Sequence, residues 1–163
     1  MDRTVRCIWL GVPLLALAGA AAQLITPSAW LAWALPANAS IWESQKACLW
    51  PIILYWAAIY FTQPTARQAP GAWWLACTAS IVTATTVFAL LHYFAVHALA
   101  LAGKALPFFL LIAAITTAQA LAAHLWVRSG SPHPARPLTA LGLISALYAT
   151  LAYLPPNLPW WQP

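Results

Sequence analysis

An all-α, polytopic membrane bundle of about five transmembrane helices is the fold this sequence predicts, and three observations predict it. Hydrophobic residues make up 63% of the 163 residues and charged residues only 6%, more apolar surface than a soluble body of 17.6 kDa encloses. Apolar blocks recur along the chain, each close to the roughly 20 residues a helix needs to cross a hydrocarbon core of about 30 Å. The breaks between them are short and hold most of the charge, so residues 1–163 form a single transmembrane domain with no soluble domain, internal repeat or long linker.

The first apolar block, residues 5–25, follows Arg3 and Arg6 and ends in Ala20-Ala21-Ala22-Gln23. A cleavable signal peptide also has basic residues before an apolar stretch and small residues after it, but this stretch is longer than such a region, which favours a retained helix. Residues 30–35, Trp30-Leu31-Ala32-Trp33-Ala34-Leu35, are too few to span and too apolar for a free loop, and are read as an interfacial or re-entrant segment. The second span is residues 41–62, with Pro51 as a kink, and closes at the turn-like stretch 63–71. The third, residues 72–101, is about 45 Å long as a helix and must tilt or project beyond the hydrocarbon. Gly103-Lys104 breaks it. The fourth, residues 105–127, leads into the Pro-rich stretch 128–137, and the fifth, residues 138–154, stops at Pro155-Pro156.

Charge sets the expected orientation. Asp2 and Glu43 are the only acids against seven Lys and Arg, a net +5, but the cations are single and lie at segment ends, so they form no phosphate-binding stripe and nucleic acid is not an expected partner. An internal amino terminus puts Arg3, Arg6, Arg67, Arg128 and Arg136 inside, only Lys46 and Lys104 outside, and the carboxyl terminus outside. Trp9, Trp73, Trp74 and Trp126 then fall near the inner boundary and Trp30, Trp33, Trp42, Trp160 and Trp161 near the outer one, where indole rings anchor. Cys7, Cys48 and Cys77 form no CxxC and read as buried free thiols. Small residues let membrane helices approach, so Gly142, Ser145, Ala149 and Ala152 on the fifth span, and Ala113, Thr117, Ala120 and His124 on the fourth, are expected to face other helices. Thr78, Thr85 and His92, seven apart on the third span, form a polar seam pointing into the bundle.

The densest polar information lies just before the second span, in Asn38-Ala39-Ser40-Ile41-Trp42-Glu43-Ser44-Gln45-Lys46. Ser40 and Glu43 fit a capping box, in which the Ser hydroxyl accepts from the backbone N–H three residues on and the Glu reaches back. A neutral Gln would cap as well without placing charge beside lipid, so Glu43 asks for a further explanation. Asn38 to Glu43, with Lys46 three residues on and Pro51 in the span beyond, resembles the N-E-S-x-W-E-x-x-K signature of an uncharacterised family of small bacterial integral membrane proteins, a domain of unknown function. Tyr153-Leu154-Pro155-Pro156-Asn157-Leu158-Pro159-Trp160 is similar to that family's closing Y-x-P-P-x-L-P stretch. Ala39 stands where the family has an acid, and the acidic residue expected a few positions past the closing motif is absent, which lowers negative charge at the site. The resemblance implies a helical membrane fold in a bacterial cytoplasmic (inner) membrane and no activity. Size and Trp content are also similar to the tryptophan-rich sensory protein and translocator family, but its W-x-P-P loop after the first span is missing.

Both motifs fall on the outer side of this topology, together with His97 and Lys104, while His92 lies about 7 Å deeper by helical rise. An outer-facing binding pocket of Asn38, Ser40, Trp42, Glu43, Lys46, His92 and His97, closed by Pro155, Pro156 and Trp160, is one reading of this coincidence. A structural clasp, in which Glu43 pairs with Lys46 or a His and the Pro-rich tail lids the bundle, is the other. No catalytic residue, metal ligand set or cofactor is expected. His92 and His97 sit about 140° apart on a regular helix, His124 is at the opposite boundary, and His133 is in a polar loop. Ser40 or Ser44 beside His97 lacks any G-x-S-x-G, HExxH or paired-Asp setting. The functional expectation is an outer-leaflet binding or transport protein for a small solute, ion or lipid centred on Glu43. The alternatives are a non-catalytic accessory subunit of a larger membrane complex and a membrane-embedded enzyme. The lipid bilayer is the expected partner, with partner membrane subunits or a homo-oligomer beside it.

Overall fold

The computed structural model describes residues 3–25, 28, 31–36, 40–101, 103, 105–130 and 132–153, with the side chains of 152 and 153 excepted. It is all-helical, 86% helix with no strands among the described residues. The elements are α1 (Arg3–Leu24), α2 (Ile41–Thr62), the short α3 (Pro64–Gln68), α4 (Pro70–Tyr93) continued by a π turn (Phe94–Ala98), α5 (Leu106–Arg128) and α6 (Ala135–Tyr153). Local chemistry sets several of these boundaries. Ser40 caps α2 through its side chain, and Pro opens α3, α4 and α5, where its missing N–H leaves no helical bond unmade. Among the described residues three helices, Arg3–Leu24, Pro70–Ala98 and Leu106–Arg128, are long and apolar enough to cross a membrane.

The four long helices α1, α2, α4 and α5 form a closed antiparallel ring in which each packs on the next and α5 returns to α1, while α6 lies outside and packs on α4. Ile8 and Leu15 of α1, Ile52 of α2, Ile81 of α4 and Leu111 and Ile115 of α5 fill its middle, each 2% exposed or less. Close approach needs glycine at two places. A Cβ on Gly19 would stand 2.6 Å from the Ala47 carbonyl oxygen, and one on Gly71 would collide with the Pro132 carbonyl.

The ring has a basic end and an acidic end. Exposed Arg3, Arg6, Arg67, Arg128 and Arg136 gather where α1 begins, α2 and α5 end, and α4 and α6 begin. Glu43 lies at the other end, with the start of α2, the π turn and the last turns of α6. Near the basic end an aromatic ladder fills the ring. Trp56 and Trp73 pack at 4.4 Å and Trp73 meets Trp126 at 5.4 Å. Trp73 is fully buried, with its Nε1 donating to the Trp56 carbonyl oxygen at 3.2 Å. It is therefore a core residue and not a boundary anchor, because the small Ala72 and Ala76 beside it turn that face of α4 inward.

The small-residue faces also differ from expectation. On α5, Ala113, Thr117 and His124 are exposed, and the buried face is Leu111, Ala114, Ile115, Ala118, Gln119, Ala122 and Ala123. That face holds more alanine and combines it with the bulk needed to fill the ring, so it wins the interior. On α6, Gly142 is exposed with nothing near it, Ser145 and Ala149 are half-buried, and Pro137, Leu141 and Tyr148 are the buried positions among the described residues. Cys48 and Cys77 are buried free thiols and Cys7 is a half-buried one.

The third apolar segment stops short of its expected end. The helix widens into the π turn at residues 94–98 and then closes at Ala100, whose φ of 49° lies in the left-handed region. The Leu101 N–H bonds back to the Ala95 carbonyl at 2.9 Å, one residue further back than in the usual helix-ending closure, which commonly takes glycine at the left-handed position.

Candidate functional site

At the acidic end, Ser40 is 2% exposed and its Oγ accepts from the Glu43 backbone N–H at 3.3 Å, the hydroxyl half of the expected capping box. The helix so started places Glu43, Gln45 and Lys46 over its first two turns, all buried, at 4%, 8% and 1% exposure. Burial of this kind demands partners, and each side chain has them. The Lys46 ammonium donates to both carboxylate oxygens of Glu43, at 2.6 and 2.7 Å, and to the Ala32 carbonyl oxygen at 2.7 Å. Its three protons are thereby all used.

The contact with Ala32 explains how the segment before α2 is held. Residues 31–35 form a helical turn, with Leu35 N–H bonding to the Leu31 carbonyl at 3.0 Å. The turn lies back on α2. Trp33 meets Trp50 edge to face at 4.8 Å, and Trp50 Nε1 donates to the Trp33 carbonyl at 3.2 Å.

Gln45 ties α2 to two further helices. Its Nε2 donates to the Thr85 carbonyl of α4 at 3.3 Å, and its Oε1 accepts from the Tyr148 hydroxyl of α6 at 2.5 Å. Thr85 Oγ1 bonds back to the Ile81 carbonyl at 2.9 Å, which leaves the Thr85 carbonyl as the acceptor facing α2. Trp42 stacks on the Tyr148 ring, 4.2 Å apart and 10° from parallel. Thr85 and Thr78 of the seam do face partners, since Thr78 Oγ1 donates to the Pro137 carbonyl at 3.1 Å. A separate pair crosses between α4 and α5, where Gln119 Nε2 donates to Ser80 Oγ at 3.2 Å.

The sequence-derived candidates divide accordingly. Ser40, Trp42, Glu43 and Lys46 are together. His92 stands on the same α4 stripe as Thr85, half-buried against Phe88, with a buried Nδ1 that has no partner among the described residues. His97 sits on the π turn, exposed, with its ring 4.6 Å from that of Tyr93. The turn replaces the regular helix on which a 140° separation from His92 was reckoned. Asn38, Lys104, Pro155, Pro156 and Trp160 lie outside the described residues. α6 nevertheless ends beside the start of α2, because Tyr148 reaches Gln45 five residues before the helix finishes.

Sequence reasoning missed three participants. Gln45 lay inside the quoted motif and could have been found as one of the few amides in an apolar stretch. The Ala32 carbonyl and Tyr148 carry no signal in the sequence, because a backbone oxygen and a tyrosine near a helix end look ordinary until the helices pack. In comparisons with known proteins, a family model described as a family of unknown function (DUF6512) matches residues 1–163. No curated protein and no solved structure matches the chain.

Proposed function

The chain belongs to that family of unknown function, and from its own residues we propose an integral membrane protein that binds or transports a small solute, ion or lipid at a site centred on Glu43. The observation that carries this reading is the three-way use of the Lys46 ammonium, which neutralises Glu43 and also holds the Ala32 carbonyl. A buried ion pair costs desolvation that a well-packed apolar pair avoids, and an intramembrane charge points to function by default. The arrangement described is then the closed state. A cation or proton taken by Glu43 weakens its hold on Lys46 and frees the ammonium to move from the Ala32 carbonyl, which leaves the Trp50 bond to the Trp33 carbonyl as the polar tether of the cover at residues 31–36 to α2. The unpartnered His92 Nδ1 on the neighbouring face of α4 supplies a further polar group at that level.

The same reading takes α2 and α6 as spans beside the three long apolar helices, giving five, with the basic end cytoplasmic and the Glu43 end external in a bacterial cytoplasmic membrane. The gathering of five exposed arginines at one end supports it. The test is a ligand-dependent rise in melting temperature across a panel of monovalent cations, amines and lipids. Loss of that rise in Glu43→Gln, with the unliganded variant still folded, is the expected result. Retention of the rise in that variant removes Glu43 from the site.

A non-catalytic accessory subunit is the second reading. It is favoured by the outward exposure of Ala113, Thr117 and His124 on α5 and Gly142 on α6, small-residue surface suited to another helix. Co-purification of a second membrane protein at fixed stoichiometry, abolished by Thr117→Trp, is its expected signature.

A further inference from the structure

Outside the Glu43 cluster, a groove runs along the outer surface of α4. α5 and α6 both pack on α4, without an extensive interface between them, and the strip of α4 left between them is apolar except at Thr86. Leu75, Val82, Thr86 and Leu90 recur along it at spacings of seven, four and four, so they share one helix face. Val82 and Leu90 are 46% and 64% exposed. Leu75 to Thr86 is about 16 Å of helix, close to the depth of one hydrocarbon leaflet.

The groove ends at the basic end of the bundle in an open cavity of about 440 Å³, lined by Leu75, Ser129, Gly130 and Pro132. Exposed Arg128 stands immediately before Ser129, and exposed Arg136 follows Pro132 by four residues. The cavity is thus apolar on its α4 side, and its lining from the connection lies in sequence between Arg128, the last residue of α5, and Arg136, in the first turn of α6, with no acid on α4, α5, α6 or the described part of that connection to offset them.

We propose that this groove is a binding site for an anionic phospholipid, with one acyl chain along the exposed strip of α4 and the phosphate met by Arg128 and Arg136. Guanidinium forks match phosphate oxygens in two-point geometry, which a diffuse surface charge does not supply. The inference does not rest on the reading of Glu43.

The test uses the full chain in nanodiscs of equal phosphatidylglycerol and phosphatidylcholine, extracted gently and weighed by native mass spectrometry. The expected result is one retained phosphatidylglycerol per chain in clear excess over phosphatidylcholine. Arg128→Gln with Arg136→Gln should lower that retention roughly fivefold or more, while Arg3→Gln with Arg6→Gln, at the same end but on α1, should leave it unchanged. Leu75→Trp, which fills the cavity with both arginines intact, should also expel the lipid. Melting temperatures in lipid-free detergent confirm that each variant folds, and Arg128→Lys with Arg136→Lys restores the charge in the event that the Gln pair does not fold. Equal retention of the two lipids, equal sensitivity to the two arginine pairs, or a dimer in place of a lipid-bound monomer would overturn the proposal.

Discussion

Glu43 and Lys46 pose the sharpest question at the scale of single residues, because each is buried and each satisfies the other. Glu43→Gln leaves a buried ammonium with only neutral acceptors and should cost about 3–5 kcal/mol, whereas Glu43→Gln with Lys46→Met should recover most of that loss. Melting temperatures of the two variants in one detergent check this, and equal destabilisation would mean that the pair contributes net stability. Tyr148→Phe removes the donor to the Gln45 side-chain Oε1 and should cost about 1–2 kcal/mol. The Trp42 stack on the ring survives that change, so a larger loss would show that the hydroxyl holds more than Gln45. The Ser40, Glu43 and Lys46 relationship was legible from spacing alone, since residues three apart share a helix face. The tie from Gln45 to Tyr148 was not, because 103 residues separate them and no local rule connects such positions.

At the scale of elements, α1, α2, α4 with its π turn, α5 and α6 lie within a few residues of the five apolar blocks, while the short α3 falls in the stretch read as turn-like, and the finer differences lie in helix ends and helix faces. The third apolar segment was expected to run to residue 101, but the chain leaves the helix through a π turn and a left-handed alanine. Ala100→Gly should therefore stabilise by about 0.5–1 kcal/mol, since glycine takes a positive φ without the Cβ clash and its greater freedom in the unfolded chain only partly offsets that gain. A drop in melting temperature instead would show that the Ala100 methyl packs against something essential. Glycines separate in the same way. Gly71→Ala drives a methyl into the Pro132 carbonyl and should destabilise by about 1–3 kcal/mol. Gly142→Ala meets open space and should be neutral or stabilising by up to about 1 kcal/mol. Small-residue stripes misled the choice of face on α5 and α6 because they mark surfaces that can approach a helix, and several such surfaces exist on one helix.

At the scale of the whole molecule, the ring of α1, α2, α4 and α5 with α6 on its flank places five exposed arginines at one end and the Glu43 cluster at the other. A cytoplasmic basic end predicts that a cysteine at position 67, in a chain whose native cysteines are replaced, reacts with a membrane-impermeant maleimide only after cell lysis. A cysteine at position 97, on the exposed π turn, should react in intact cells, and the reverse pattern would invert the topology. Composition and hydropathy by themselves determined that the chain is all-helical, with three helices long and apolar enough to cross a membrane among the described residues, because low charge and apolar blocks of roughly 20 residues suit a helix surrounded by hydrocarbon. Only the tertiary structure decided which faces turn inward, that Trp73 belongs to the core, and that Lys46 binds both an acid on its own helix and a carbonyl from the segment before it. Those choices depend on which helix lies beside which, and in a chain where nearly every surface is apolar, hydrophobicity does not distinguish one neighbour from another.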